Sequence, residues 1–351
     1  MITGKFKTIA LGLVAFTISL SAVAGVYGQS ESFYKGKTIR IIVGFTPGGF
    51  YDRWARLLAR YMPKYIPGSP EFIVQNMPGA GSIIATNHVY NVAKPDGLTV
   101  GMPNYGAYLD QLVGRKEVQF DVTKLHWIGS PEKSDAVLYM RADAPFKTVA
   151  DMRRASDPAK CGATGTASTD YIIARLLEDT LGVKINTVTG YGGGSEIDIA
   201  VEKGEVVCRG MTIAPHFGRE PFDSWHKKGF DRHILQSSEK RDSRLGDVPT
   251  IYEIFEKENT PEESRRVADV ILRGGDYGRP MFAPPATPAD RVKILREAYA
   301  KALKDPELIA EAKKARMDME PVSGDELQAL TKRLMTQPAA VVQRVKKVLE
   351  N

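Results

Sequence analysis

Apolar and polar positions follow two rhythms along this chain, and the switches between them mark its elements. Ile39–Val43 is a short β-branched run, as expected of a strand buried on both faces. It breaks into Thr46-Pro47-Gly48-Gly49. Apolar residues then recur at Trp54, Leu57, Leu58 and Tyr61, the period of a helix with one buried face. Phe72–Val74 is the next strand, Gln75–Ser82 a glycine-bearing turn, Ile83–Val92 a helix and Leu98–Met102 a strand. Val137–Met140 reads as a strand that leaves this first unit. A second unit repeats the rhythm, with strands at Cys161–Thr164, Val183–Val188 and Val206–Met211 and helices at Thr148–Arg154, Tyr171–Leu181 and Glu196–Lys203. Such alternation predicts an α/β fold with largely parallel sheets. His233–Ser237 returns the chain to the first unit. The charged stretch Pro261–Arg273 reads as a helix, and Tyr277–Pro285 holds a last strand. Thr287 is placed to cap a helix from Pro288, with Asp290 in its first turn.

The start of the chain has a different character. Lys5 and Lys7 precede an apolar stretch from about Ile9 to Val23, and small residues follow at Ser21-Ala22-Val23-Ala24 and Val26-Tyr27-Gly28. This is the layout of a signal peptide over residues 1–28, cleaved at Ala24 or Gly28; an uncleaved anchor is the alternative. A soluble, exported, periplasmic product is expected. The formal charge is +6, and without Lys5 and Lys7 it is 46 basic against 42 acidic residues, or +4. That mild balance, with no basic run interleaved with aromatics, argues against nucleic acid and suits a small anionic ligand. The length suggests two domains, here 30–138 with 238–351 and, between them, 139–237. Cys161 and Cys208 fall on predicted strands of one unit. An even cysteine count in an exported chain favours a disulfide over two buried thiols.

Glycines and small hydroxyl residues sit where strands turn into helices. The candidate anion cradle of the first unit is Phe45, Thr46, Pro47, Gly48, Gly49, Phe50, Tyr51 and Asp52, joined by Gly79, Ala80, Gly81 and Ser82. The second unit offers Gly165, Thr166, Ala167, Ser168 and Thr169, then Tyr191, Gly192 and Gly193, with Met211 and Thr212 ending a strand. Backbone amides at helix starts bind carboxylates without a full positive charge, so recognition is expected to rest on them more than on Arg or Lys. Phe50 and Tyr51 either pack beneath the helix or wall the cleft and select the ligand.

No enzyme chemistry is legible. Gly-x-Ser-x-Gly, His-Glu-x-x-His and the P-loop are missing. The run Gly190 to Ser195 ends in serine where a dinucleotide fingerprint has glycine. Two cysteines are too few for a structural zinc site, and no cofactor or metal is called for. The five histidines are scattered along the sequence. Only His216, just beyond Met211, is placed to reach the cleft.

Several segments, in order, resemble one family. Tyr34-Lys35-Gly36-Lys37-Thr38-Ile39-Arg40 leads into Val43-Gly44-Phe45-Thr46-Pro47-Gly48-Gly49 and Asp52. Asn76-Met77-Pro78-Gly79-Ala80-Gly81, Ala93-Lys94-Pro95-Asp96-Gly97, Gly204-Glu205-Val206, Leu245-Gly246-Asp247-Val248-Pro249-Thr250 and Phe282-Ala283-Pro284-Pro285-Ala286-Thr287-Pro288 follow. Together they resemble the periplasmic solute-binding receptors of tripartite tricarboxylate transporters, also called Bordetella uptake gene receptors. The resemblance implies a two-domain periplasmic-binding-protein fold of type II, a Venus flytrap with its ligand cleft between the domains. It implies a monomer that is not an enzyme and that hands a small carboxylate to the permease subunits of a membrane transporter. An exported α/β enzyme and a ligand-sensing subunit for a membrane kinase are the alternatives. The chain departs from the family pattern at Phe50 and Tyr51, where members often carry small residues. It departs again at Met211-Thr212, where an Asp-Asn pair is common, and in a longer charged segment between Thr250 and Tyr277.

Overall fold

The computed structural model describes residues 33–166 and 168–350. The chain lays down strands β1 (Thr38–Val43), β2 (Glu71–Asn76), β3 (Thr99–Met102) and β4 (His126–Ser130). It crosses over to form β5 (Ala136–Arg141), β6 (Ala159–Gly162), β7 (Ile185–Val188), β8 (Cys208–Thr212) and β9 (Asp231–Gln236), then returns for β10 (Met281–Ala283) and β11 (Val322–Ser323). The first sheet has the order β11-β4-β10-β3-β1-β2, the second β7-β6-β8-β5-β9. Ile39, Ile41 and Val43 on one face of β1 are fully enclosed, and on the other face Ile42 is buried while Arg40 is exposed, so both faces are covered only toward the end of the strand.

Both sheets are mixed rather than largely parallel. β2-β1-β3 and β7-β6-β8 are parallel blocks, whereas β10, β11 and β5 run antiparallel to their neighbours. The parallel blocks come from strand–helix–strand crossovers. β5 and β10 arrive from the other unit and are under no such constraint. The expected division between residues 138 and 139 falls inside β5, and the whole of β5 pairs in the second sheet. The first passage between units is therefore 131–135. The expected helix cap at Thr287 is not formed: that hydroxyl donates to Pro284 O at 2.7 Å, and the helix begins at Ala289.

Cys161 and Cys208 are register partners on β6 and β8, 4.4 Å apart at Cα, and form the disulfide. The charged segment after Thr250 builds helices Ile251–Lys257 and Glu262–Leu272. The apolar side of the second, Val267, Ala268 and Ile271, packs with helix Thr169–Leu181 of the second unit. Helix Ala339–Glu350 lies against both: Tyr171 donates its hydroxyl to Leu349 O at 3.1 Å, and Arg344 pairs with Asp179 at 3.0 Å. One hydrophobic cluster thus runs from Ile42 and Trp127 of the first unit to Ile173 and Leu176 of the second. No described helix is long and apolar enough to cross a membrane. The expected leader lies outside the described residues.

Candidate ligand cleft

Four helices begin at one small cavity between the two sheets. Their first residues follow Gly49, Ser168, Gly193 and Thr212, each at a strand-to-helix junction. Helix Phe50–Tyr61 has no side-chain cap, and Arg53 N is its first amide bonded back to the turn, reaching Gly49 O at 2.9 Å. The preceding amides have no intrahelical partner, as at any helix start. The cavity measures about 80 Å³, small for a ligand site.

From the first unit, Phe45, Thr46, Gly49, Phe50 and Tyr51 reach its wall. The Phe45 and Tyr51 rings lie 4.7 Å apart. Phe50 is 5% exposed and has the Arg279 guanidinium 5.1 Å from its ring centre, so it serves as packing and as wall at once. Pro47, Gly48 and Asp52 stay off the wall. Gly48 makes the turn at φ +85°, and its amide donates to Asp52 Oδ2 at 2.9 Å. Asp52 also takes Asn76 Nδ2 at 3.0 Å and Arg56 Nε at 2.8 Å. Burial pushes its carboxyl up, but Arg56, Gly48 and Asn76 together hold it below its ordinary value. Asp52 is a strut of the turn rather than part of the wall. Gly79, Ala80, Gly81 and Ser82 also lie behind it. Ser82 Oγ accepts from Asn104 N at 2.7 Å and so positions Asn104, which does face the cavity.

From the second unit, Ser168, Thr169, Met211 and Thr212 line the wall; Gly165, Thr166, Tyr191, Gly192 and Gly193 do not. Ala167 lies outside the described residues. Several of these residues instead meet the first unit. A Cβ on Gly165 would come within 2.7 Å of Gly81 N, and one on Gly193 would strike the Thr46 hydroxyl. Thr46 Oγ1 reaches Glu196 Oε2 at 3.4 Å, and Arg53 Nη1 donates to Gly218 O at 3.2 Å. The two units are in contact across the cleft.

The cavity wall also carries cationic side chains that the sequence motifs did not include. Arg209, Arg219 and Arg279 all line the cavity. Each is matched by a buried carboxylate. Arg209 donates to Asp170 at 2.6 Å and to Asp198 at 2.7 Å, Arg219 pairs with Asp198, and Arg279 pairs with Glu132. Burial pulls Arg209 down, but Asp170 and Asp198 outweigh it and hold its pKa above the ordinary value. Burial lowers Arg279 to about 10, so it remains charged at neutral pH. Its Nη2 donates to Thr212 Oγ1 at 2.9 Å, a bond from one unit to the other. The Nε atoms of Arg219 and Arg279 are buried and have no protein acceptor. One signal for Arg209 was available: it stands two residues before Met211 on β8 and therefore shares its face. Arg219 and Arg279 follow a short helix and precede a short strand, where no periodicity points inward.

His216 does not reach the cleft. It is fully buried on the far side of its helix and faces Asp231, while its neighbour Pro215 lines the cavity.

Two α/β units meeting over a donor-rich cavity define a solute-binding protein of the periplasmic type. The chain belongs to the tripartite tricarboxylate transporter family receptors, whose family pattern matches residues 55–350. It is 28% identical over 318 residues to the "UPF0065 protein in gbd 5'region" of Cupriavidus necator, covering 88% of this chain and 87% of that one. Its fold is shared with the periplasmic binding protein BugD, at a TM-score of 0.69 and 20% identity over 90% of this chain and 98% of the other. It is also shared with MatC from Rhodopseudomonas palustris with bound malate, at 0.68 and 20% over 89% and 99%. The protein is a solute-binding receptor.

Proposed function

We propose that this receptor is exported, captures a small carboxylate by closing its cleft, and presents it to the permease of a tripartite transporter. The observation that carries the reading is the convergence of three arginines, Arg209, Arg219 and Arg279, with the uncapped start of helix Phe50–Tyr61 on the wall of one cavity. A carboxylate supplies acceptor oxygens to such donors, and charge-assisted bonds of this kind are among the stronger ones available. The unpaired amides at the start of helix Phe50–Tyr61 add donors and the positive end of a helix dipole. The buried carboxylates already balance the three arginines, so the site selects by geometry as much as by charge. The cavity size favours a short acid, and the malate carried by MatC is of that class. Closure turns on the two passages of chain between the sheets, 131–135 and the segment after Gln236. The test is a thermal-shift and calorimetric panel of two- to six-carbon mono- and dicarboxylates, beside mass spectrometry of small molecules released from the purified protein. A short carboxylate binding one to one is the expected result. Saturable binding of amines or neutral sugars, with no acid bound, would refute the reading.

A further inference from the structure

Three of the five histidines, far apart in sequence, meet on the side of helix Ile213–Gly218 turned away from the ligand cavity. His216 comes from that helix, His226 from helix Phe222–Lys228, and Asp231 and His233 from β9, where a spacing of two puts both on one face. His216 Nε2 lies 2.7 Å from His233 Nε2, 3.2 Å from His226 Nε2 and 3.2 Å from Asp231 Oδ2. Asp231 Oδ2 is 3.1 Å from His226 Nε2 and 3.6 Å from His233 Nε2. Four donor atoms on a tetrahedron around a zinc-sized ion, at metal–ligand distances near 2.0–2.1 Å, stand about 3.3–3.4 Å apart. Four of the five separations, at 3.1–3.6 Å, lie close to that value; the His216–His233 pair at 2.7 Å is shorter, and all four atoms lie within 4.8 Å of one another.

The chemistry of the donors agrees with the geometry. Both Asp231 oxygens are buried, and no donor meets either at hydrogen-bonding geometry. The three Nε2 atoms are within hydrogen-bonding distance of one another through His216, and the carboxylate lies against the same point without a donor of its own. The rings are held in place by packing: Tyr139 stacks on His216 at 4.9 Å, Phe222 lies 4.5 Å from His216, and Phe217 lies 4.9 Å from His226. His226 and His233 keep 23% and 19% of their side chains exposed, which leaves an entry path.

We infer that His216, His226, Asp231 and His233 form a binding site for a divalent transition-metal ion with tetrahedral preference, Zn²⁺ foremost. Imidazole nitrogen disfavours Ca²⁺ and Mg²⁺, which take oxygen ligands. Four protein ligands leave no open position, so the ion is structural rather than catalytic. It clamps two short helices to β9, and the clamped segment carries Pro215 and Arg219 to the cavity wall.

The experiment uses the untagged mature chain, stripped with a chelator and titrated with Zn²⁺ in competition with a chromophoric chelator. One equivalent should bind. Co²⁺ in its place should give the intense visible bands of a tetrahedral ion, and X-ray absorption should find nitrogen and oxygen neighbours at about 2.0–2.1 Å. His233→Ala and Asp231→Asn should each weaken binding ~100-fold or more, while His126→Ala, outside the cluster, should not. The X-ray absorption of the unaltered chain stands even where a variant fails to fold. Absence of stoichiometric binding, an octahedral Co²⁺ spectrum, or undiminished affinity in folded His233→Ala and Asp231→Asn would overturn the assignment.

Discussion

Gly48 and Gly49 are adjacent yet differ in what they tolerate. Gly48 sits at φ +85°, where a side chain adds strain of about 1–2 kcal/mol. Gly49 sits at φ −70°, and a Cβ there would meet only Thr46 O, at 3.8 Å. Gly48→Val should therefore lower the melting temperature. Gly49→Val should change stability by no more than about 1 kcal/mol and abolish binding by filling the cavity. Melts beside a binding assay separate the two, and a reversed pattern would misplace the cradle. Arg279 and Glu132 make the second residue-scale case. Arg279→Met leaves the Glu132 charge buried without its counter-ion, held only by the Trp54 and Ser134 hydrogen bonds, at a loss of about 3–5 kcal/mol. Adding Glu132→Gln should restore much of that, which a double-mutant cycle in denaturant will measure. Nothing in the sequence marks Glu132 and Arg279 as partners, because the pair exists only once β4 and β10 lie side by side. The histidine cluster was hidden in the same way: its ligands stand at spacings that belong to no local motif.

At the scale of elements, most of the fold was legible. Ile39–Val43 was visible because burial leaves β-branched apolar residues at every position but the exposed Arg40, and helix Phe50–Tyr61 because its buried face repeats at helical period. What escaped was short. β11 has two residues and β10 three, too few for any period to register. Helix Glu262–Leu272 was read correctly as a helix, but its partner was not, since an apolar stripe records that it is covered and not by what. The disulfide joins two elements whose pairing the strand pattern did suggest. It closes a loop with a sequence separation of 47, for which chain entropy gives about 4 kcal/mol of stabilisation. Neither cysteine lines the cavity. Reduction should lower the melting temperature and leave ligand affinity at ambient temperature nearly unchanged, with thiol labelling to confirm that the bond was open. Equal melting curves for the two forms would count against a stabilising role.

For the whole molecule, the hinged opening proposed above would part the contacts from Thr46 to Glu196, from Arg53 to Gly218 and from Arg279 to Thr212. Small-angle scattering should find a smaller radius of gyration with saturating ligand than without, since ligand shifts the population toward the closed form. An identical radius in both conditions would exclude a hinge of useful size. The helices at Glu262–Leu272 and Ala339–Glu350 limit how that motion proceeds, because they lie across the second unit while their connections run to the first. Their position also bears on biosynthesis. Helix Thr169–Leu181 is synthesised long before residues 339–350 arrive to cover Tyr171. Until then one of its apolar faces is open to whatever else is unfolded nearby. The second unit cannot finish on its own schedule, and a chaperone able to shield that face is most useful during this interval.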